Sequence, residues 1–246
     1  MLHLNDVKFT MSYPVSARNG KYYFSRTDFF KLIRPVLKPG NIKSARPFNT
    51  VVLDAGHGGH DSGARGRYGN EKQYNLALAH KLKRHLERHG FRVKFTRSVD
   101  KFLTLGQRVA IANRIPNSIF VSLHFNSGRA SASGIETFAL SPPDSSSTMG
   151  GYNAKSFSGN RRDAENIALA TSIHAFSVTR LGGIDRGIKR ARFAVLRGLN
   201  KPGVLFEGGF LSNRSESAKI HSSTYLEKMA ASIALGIVKY RRAITR

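Results

Sequence analysis

The chain has 246 residues, 40 Lys and Arg against 15 Asp and Glu, and a net charge of +25. This length holds one good-sized core, and no apolar run approaches the roughly 20 residues of a membrane span. Cysteine is absent, which excludes disulfides and thiolate-held metals. The charge draws polyanions without choosing among nucleic acid, anionic lipid and other anionic polymers.

Residues 1–48 read differently from the rest. Short alternating stretches at 7–11 and 21–24 suggest strands, with Arg18-Asn19-Gly20 as a turn between them. Ser25 is an N-cap candidate for a short helix reaching Leu32-Ile33, and Pro35, Pro39-Gly40 and Pro47 read as a linker. The expectation is a small β-rich N-terminal segment with its linker over 1–48 and one larger domain over 49–246. No apolar h-region follows Met1-Leu2-His3-Leu4-Asn5-Asp6, so the start does not read as a signal peptide.

From Val51 onward strands and helices alternate. Residues 51–53 read as a buried strand and 71–89 as a helix with Leu78, Leu82 and Leu86 on one stripe. Gly90 closes it, and 91–96 is the next strand. A helix at 105–115 stops at Pro116, strands follow at 119–123 and 134–140, and the Ser-, Gly- and Asn-rich 141–162 reads as a long surface loop. A helix at 163–181, a strand at 204–206 and a helix at 225–240 complete the pattern. Such alternation predicts an α/β fold: a mostly parallel twisted sheet with helices on both faces. Ligand sites in these folds gather at the carboxyl ends of the strands.

Four polar residues stand where that rule points. His57 follows the 51–53 strand in Asp54-Ala55-Gly56-His57-Gly58-Gly59, His124 ends Ile119-Phe120-Val121-Ser122-Leu123-His124, and Glu207 ends Val204-Leu205-Phe206-Glu207. Glu71 opens the helix on the same stripe as Leu78 and Leu82. Each alone has an ordinary structural reading, such as a loop histidine or a glutamate facing a helix dipole. A carboxylate inside an apolar strand is harder to dismiss, because burying it unpaired costs several kcal/mol. Together the four suit a metal site, since two imidazoles and a carboxylate commonly hold zinc and a second carboxylate can serve as base. His60 is a rival ligand. His85-Leu86-Glu87-Arg88-His89 has the wrong order for a zincin helix and reads as a solvated basic face.

The motifs Leu53-Asp54-Ala55-Gly56-His57-Gly58-Gly59, Asp61-Ser62-Gly63-Ala64, Phe120-Val121-Ser122-Leu123-His124-Phe125-Asn126 and Val204-Leu205-Phe206-Glu207-Gly208-Gly209-Phe210-Leu211-Ser212-Asn213, with the Glu71 helix start, resemble the zinc-dependent N-acetylmuramoyl-L-alanine amidases of the type-3 family. The resemblance runs from about Thr50 to Tyr240. It implies that His57, Glu71 and His124 hold zinc and that Glu207 is the catalytic carboxylate. It implies cleavage of the amide between N-acetylmuramic acid and L-alanine of the peptidoglycan stem peptide, and a periplasmic or extracellular location.

The same picture makes Asn126, Arg186, Lys189 and Arg192 candidate substrate contacts, the last three from the densest basic cluster, Asp185-Arg186-Gly187-Ile188-Lys189-Arg190-Ala191-Arg192. The basic surface then suits peptidoglycan and other anionic wall polymers. Some family members carry a helix that plugs the active site until a partner protein removes it. Residues 141–162 hold no convincing amphipathic helix, so the expectation is an enzyme without that autoinhibition, for which no activator is implied. A nucleic-acid role is not expected, because the basic residues are spread and no helix-turn-helix, zinc-finger or aromatic-interleaved motif stands out. A peptidase acting on ordinary peptides and a catalytically dead wall-binding module remain the competing readings; the motifs oppose the first and the full residue set the second.

Overall fold

The computed structural model describes residues 1–245. Its strands are β1 Leu2–Leu4, β2 Val7–Phe9, β3 Ser16–Arg18, β4 Lys21–Tyr23, β5 Thr50–Ala55, β6 Arg65–Gly66, β7 Gly69–Asn70, β8 Arg92–Phe95, β9 Ser118–Asn126, β10 Ile135–Leu140, β11 Ser145–Ser146, β12 Tyr152–Asn153, β13 Asp185–Ala191 and β14 Gly203–Phe210. Its α-helices are α1 Arg26–Asp28, α2 Arg34–Leu37, α3 Glu71–Arg88, α4 Leu105–Asn113, α5 Asp163–Leu181, α6 Ala194–Arg197, α7 Arg214–His221 and α8 Ser223–Ile244. A π-helical turn, Phe29–Ile33, joins α1 to α2.

Eight strands form one sheet in the order β1-β2-β13-β10-β14-β9-β5-β8. The strands β8, β5, β9 and β14 run parallel. At β10 the direction reverses: β10 pairs antiparallel with β14 and parallel with β13, and β13 pairs parallel with β2. One sheet edge therefore collects the carboxyl ends of β5, β9 and β14 together with the amino ends of β10 and β13. The opposite edge receives the carboxyl ends of β2, β10 and β13.

Alternation along each strand splits the core in two. Val51, Leu53, Val121, Leu123, Val204 and Phe206 face a large cluster with Leu78 and Leu82 of α3, Ile167 and Ile173 of α5, and Met229 and Ile233 of α8. Val52, Phe120, Phe138 and Leu205 face a smaller cluster with Ala112 at the end of α4 and with Val195 and Leu196 of α6. His124 shares a face with Phe120, and Glu207 with Leu205, so both stand on the thinly covered side.

Several expected elements have their predicted type and close bounds. The α3 helix ends one residue earlier than expected, its N-cap Asn70 makes a capping box with Gln73, and Gly90 follows it with positive φ. The Asn19-Gly20 turn closes the β3–β4 hairpin with both residues at positive φ.

Three readings change. The basic run 185–192, read as a cluster at the site edge, is mostly the strand β13, with Arg190 buried and donating to the carbonyls of Lys31 and Leu140. Residues 1–48, read as a small segment with its linker, contribute β1 and β2 to the main sheet and Phe9, Leu32, Val36 and Phe48 to the large core. Lys31 also pairs with Asp163 at the start of α5, at 2.8 Å. The surface stretch 141–162 contains the β11–β12 hairpin and a 3-10 turn, Ser158–Arg162. It leaves the sheet at the carboxyl end of β10, the edge away from His57 and Glu207.

Candidate metal and catalytic site

The turn after β5 is built around glycine. Gly56 has no side chain because a Cβ there would overlap the His124 ring, and a Cβ on Gly63 would lie 2.5 Å from Glu71 Oε2. His57 itself adopts the left-handed conformation, φ +60. That conformation is uncommon for a non-glycine residue and is held only where the surroundings enforce it. Two buried guanidiniums enforce it here. Arg97 donates to the carbonyls of Ala55 and Gly56, and Arg108 to those of Ala55 and His57. Arg108 also pairs with buried Asp54 at 2.9 Å, and Asp54 accepts from Thr96 and Ser122.

His57, Glu71 and His124 each offer a ligand atom, and these atoms lie within 4.8 Å of one another. His57 Nδ1 lies 2.8 Å from Asp61 Oδ2, while its Nε2 lies 3.1 Å from Glu71 Oε2. A carboxylate that accepts a hydrogen bond from Nδ1–H fixes the tautomer and leaves Nε2 as a lone-pair donor, the usual second partner of a metal-bound histidine. His124 Nδ1 lies 2.8 Å from Glu71 Oε1. Glu71 also accepts from the Ala64 and Phe125 amides and from Asn75. Burial pushes the Glu71 carboxyl up, but its bonds to His124 and His57 outweigh this and hold it well below the usual carboxylate range. Burial lowers His57, but hydrogen bonds and charges from Glu71 and Asp61 outweigh it, and the imidazole is raised. Two imidazoles converging on one ionised carboxylate fit a divalent cation with nitrogen and oxygen preferences.

Glu207 stands beside this cluster, in register with His124 on one side and Glu136 on the other. Its Oε2 is buried without a hydrogen-bond partner. Burial and the charges of Glu71 and Glu136 push its carboxyl well above the ordinary value, against the pull of Lys189. A buried carboxylate oxygen without a partner calls for one, and a ligand or water can supply it. Glu207, His57 and His124 line a cleft of about 390 Å³ whose other walls include Phe102, Leu103, Leu105, Phe193 and Val195. No residue of 141–162 lines it.

Of the candidate substrate contacts, three lie at this edge. Arg186 and Lys189 both donate to Glu136 Oε1, Lys189 at 2.7 Å, and Asn126 donates to Glu136 Oε2 at 3.3 Å. Arg192 is different. It follows the far end of β13, where Ala191 pairs with Leu140, and its guanidinium is spent on the carbonyls of Pro142, Ser145, Gly151 and Asn153. It ties the β11–β12 hairpin to the sheet rather than facing the cleft. The rival ligand His60 is exposed and packs on Phe102 at 4.1 Å between ring centroids. His85 pairs with Glu227 on the surface.

Sequence reasoning passed over Glu136, which orders all three contacts. The signal was present: Glu136 is a carboxylate inside the apolar strand Ile135-Glu136-Thr137-Phe138, as Glu207 is in its own. Asp61, the partner of His57, appeared only as part of a motif.

Fold and site together have the form of a metal-assisted hydrolase, with donors and an unpartnered carboxylate at the carboxyl ends of parallel strands. The family model described as N-acetylmuramoyl-L-alanine amidase matches residues 51–239, and the chain belongs to that family. It is 40% identical over 191 residues to the uncharacterized protein YqiI of Bacillus subtilis, covering 78% of this chain and 84% of that one. It is 32% identical over 249 residues to the N-acetylmuramoyl-L-alanine amidase AmiC of Escherichia coli O6:H1, covering 88% of this chain and 59% of that longer protein. The catalytic domain of CwlV, an N-acetylmuramoyl-L-alanine amidase from Bacillus (Paenibacillus) polymyxa, superposes with a TM-score of 0.66 at 36% identity, covering 78% of this chain and 98% of that domain.

Proposed function

We propose that this protein is a zinc-dependent peptidoglycan amidase that cleaves the bond between the lactyl carbonyl of N-acetylmuramic acid and the nitrogen of L-alanine. The observation that carries the reading is Glu207: a buried carboxylate oxygen without a partner, beside a His-Glu-His cluster, in a chain of this family.

In this reading His57, Glu71 and His124 hold zinc. When bound, the cation supplies Lewis acidity, polarising a carbonyl and making water easier to deprotonate. The protein's own groups do the rest. Asp61 orients His57, and the Arg97–Arg108 pair fixes the turn that carries it. Glu207 takes a proton from the water that adds to the lactyl carbonyl, then passes it to the departing alanine nitrogen as the C–N bond breaks. Arg186 and Lys189, with Asn126 beside them on Glu136, face the incoming wall fragment and attract its carboxylates. Arg192 is not among these contacts.

The cleft is open along the thin face of the sheet, and the 141–162 stretch stands at the other edge. This supports activity without removal of a plug and without an activator. The periplasmic or extracellular location follows from the substrate.

Digestion of purified peptidoglycan by the zinc-loaded protein, with mass spectrometry of the products, tests the proposal. Free stem peptides with an L-alanine amino terminus and peptide-free glycan are expected. Cleavage within the stem peptide would replace the reading with that of a peptidase.

A further inference from the structure

We propose that residues 15–43 form a docking surface for an anionic lipid bilayer, at the sheet edge opposite the catalytic cluster. Seven of the fifteen large hydrophobic side chains exposed by the described residues fall within residues 15–37. Tyr22 is 74% exposed, and Tyr23, Phe24, Phe29, Phe30 and Leu37 are each more than two-fifths exposed. All six residues of the β3–β4 hairpin are exposed, so it stands clear of the body with Tyr22 and Tyr23 on it. Phe29 and Phe30 pack edge to face at 5.1 Å on the π-helical turn, leaving much of both rings in solvent. A monomer rarely leaves a cluster of this kind without use.

Charge narrows the occupant to an anionic one, and the exposed rings narrow it further. Residues 7–53 contain nine Lys and Arg and a single acid, Asp28. That acid is fully buried and accepts the amides of Ser12 and Tyr13 and the Ser25 hydroxyl. The exposed cations Lys21, Arg26, Arg34, Lys38 and Lys43 have no carboxylate partner among the described residues. Arg26 and Arg34 sit over the Phe30 ring at 5.9 and 6.0 Å. Phe30, Arg34, Lys38 and Lys43 also line a groove of about 270 Å³. Exposed rings interleaved with unpaired cations match the headgroup zone of an anionic leaflet, where aromatic rings sit at the interface and lysines and arginines meet phosphates. A sugar strand could also stack on these rings, but a neutral sugar gives the five unpaired cations nothing to pair with, whereas lipid phosphates do.

Topology sets the orientation. The strand β2 runs parallel to β13 and β10, so the chain leaves Phe9 at the edge away from His57, His124 and Glu207, and it re-enters at the amino end of β5. Residues 10–48 therefore lie at that edge. Tyr13 OH donates to the Asp144 carbonyl there. A molecule docked by this surface turns its catalytic edge away from the lipid. No helix is long and apolar enough to cross a membrane, so the contact is peripheral.

Co-sedimentation of the full chain with vesicles tests this, using phosphatidylcholine alone and phosphatidylcholine with roughly one-third phosphatidylglycerol. The protein is expected to bind the anionic vesicles and not the neutral ones. The pairs Phe29→Ala with Phe30→Ala, and Tyr22→Ala with Tyr23→Ala, are each expected to weaken binding roughly tenfold while circular dichroism stays unchanged. The charge reversal Arg26→Glu with Arg34→Glu should weaken it at least as much. Equal binding by the aromatic variants would leave only the diffuse +25 charge and overturn the proposal. So would absence of vesicle binding, or variants that lose retention on insoluble peptidoglycan but not on vesicles.

Discussion

His57 carries two demands at once: a left-handed backbone and a ring held by Asp61. Backbone strain of this kind costs about 1–3 kcal/mol, which the four carbonyl bonds from Arg97 and Arg108 offset. Asp61→Asn keeps the shape but removes the charge that accepts the Nδ1–H hydrogen bond. It is expected to weaken zinc affinity about 10- to 100-fold, measured by competition with a chromogenic chelator. Glu207→Gln is nearly isosteric and stands in an apolar strand. The variant should fold and keep its zinc while turnover falls by roughly 10²- to 10⁴-fold, read from release of stem peptide. Retained turnover would remove Glu207 from the chemistry. The ligand candidates were legible because glycine runs and strand ends announce them. Arg97 and Asp100 stand three residues apart at a strand end, a spacing that suggests an ion pair, but the Arg97 donors go to backbone carbonyls, while Asp100 takes Lys72 and the Gly59 amide. A charged residue near a strand end shows its valence in the sequence, but the backbone atoms that satisfy it come together only in the fold.

Among elements, β2 shows how a weak local signal is decided by distant partners. It has three residues, and its pairing on the main sheet is to β13, nearly 180 positions later. Phe9 is fully buried there. Phe9→Ala is expected to cost about 3–5 kcal/mol of unfolding free energy, measured by urea denaturation of the full chain. A loss below about 1 kcal/mol would mean that the segment folds apart from the sheet. The long helices and buried central strands were readable because one face or both faces are apolar over many residues. The β13 strand was not, since its inward positions include Arg190, whose charge reads as solvent-exposed until Lys31, Asp163 and the carbonyl of Leu140 surround it. The same segment holds Lys189 near the cleft and sends Arg192 away from it, a separation set by the far end of the strand.

Over the whole molecule, +25 of net charge sits on a sheet whose acids are largely committed to named partners. Asp185 is one. Burial pushes its carboxyl up, but the ring of His174 and the amides of Lys8 and Gly187 outweigh this and hold it below the ordinary aspartate value. A depressed acid gives stability that is complete above its unfolded value and is lost as pH falls through the folded one. Unfolding experiments below pH 4 should therefore show a steep loss that Asp185→Asn makes shallower, while the variant is the less stable protein at pH 7. An unchanged acid limb would mean that the His174–Asp185 bond adds no net stability.

The proposed activity requires one zinc held by His57, Glu71 and His124 in a site that opens amide bonds of peptidoglycan. The most direct test adds zinc stepwise to metal-stripped protein and measures L-alanyl peptide released from a soluble muramyl peptide. Activity should rise linearly and stop at one zinc per chain, and His124→Ala should show neither tight zinc nor turnover. Full activity in the stripped protein, or in His124→Ala, would contradict the account.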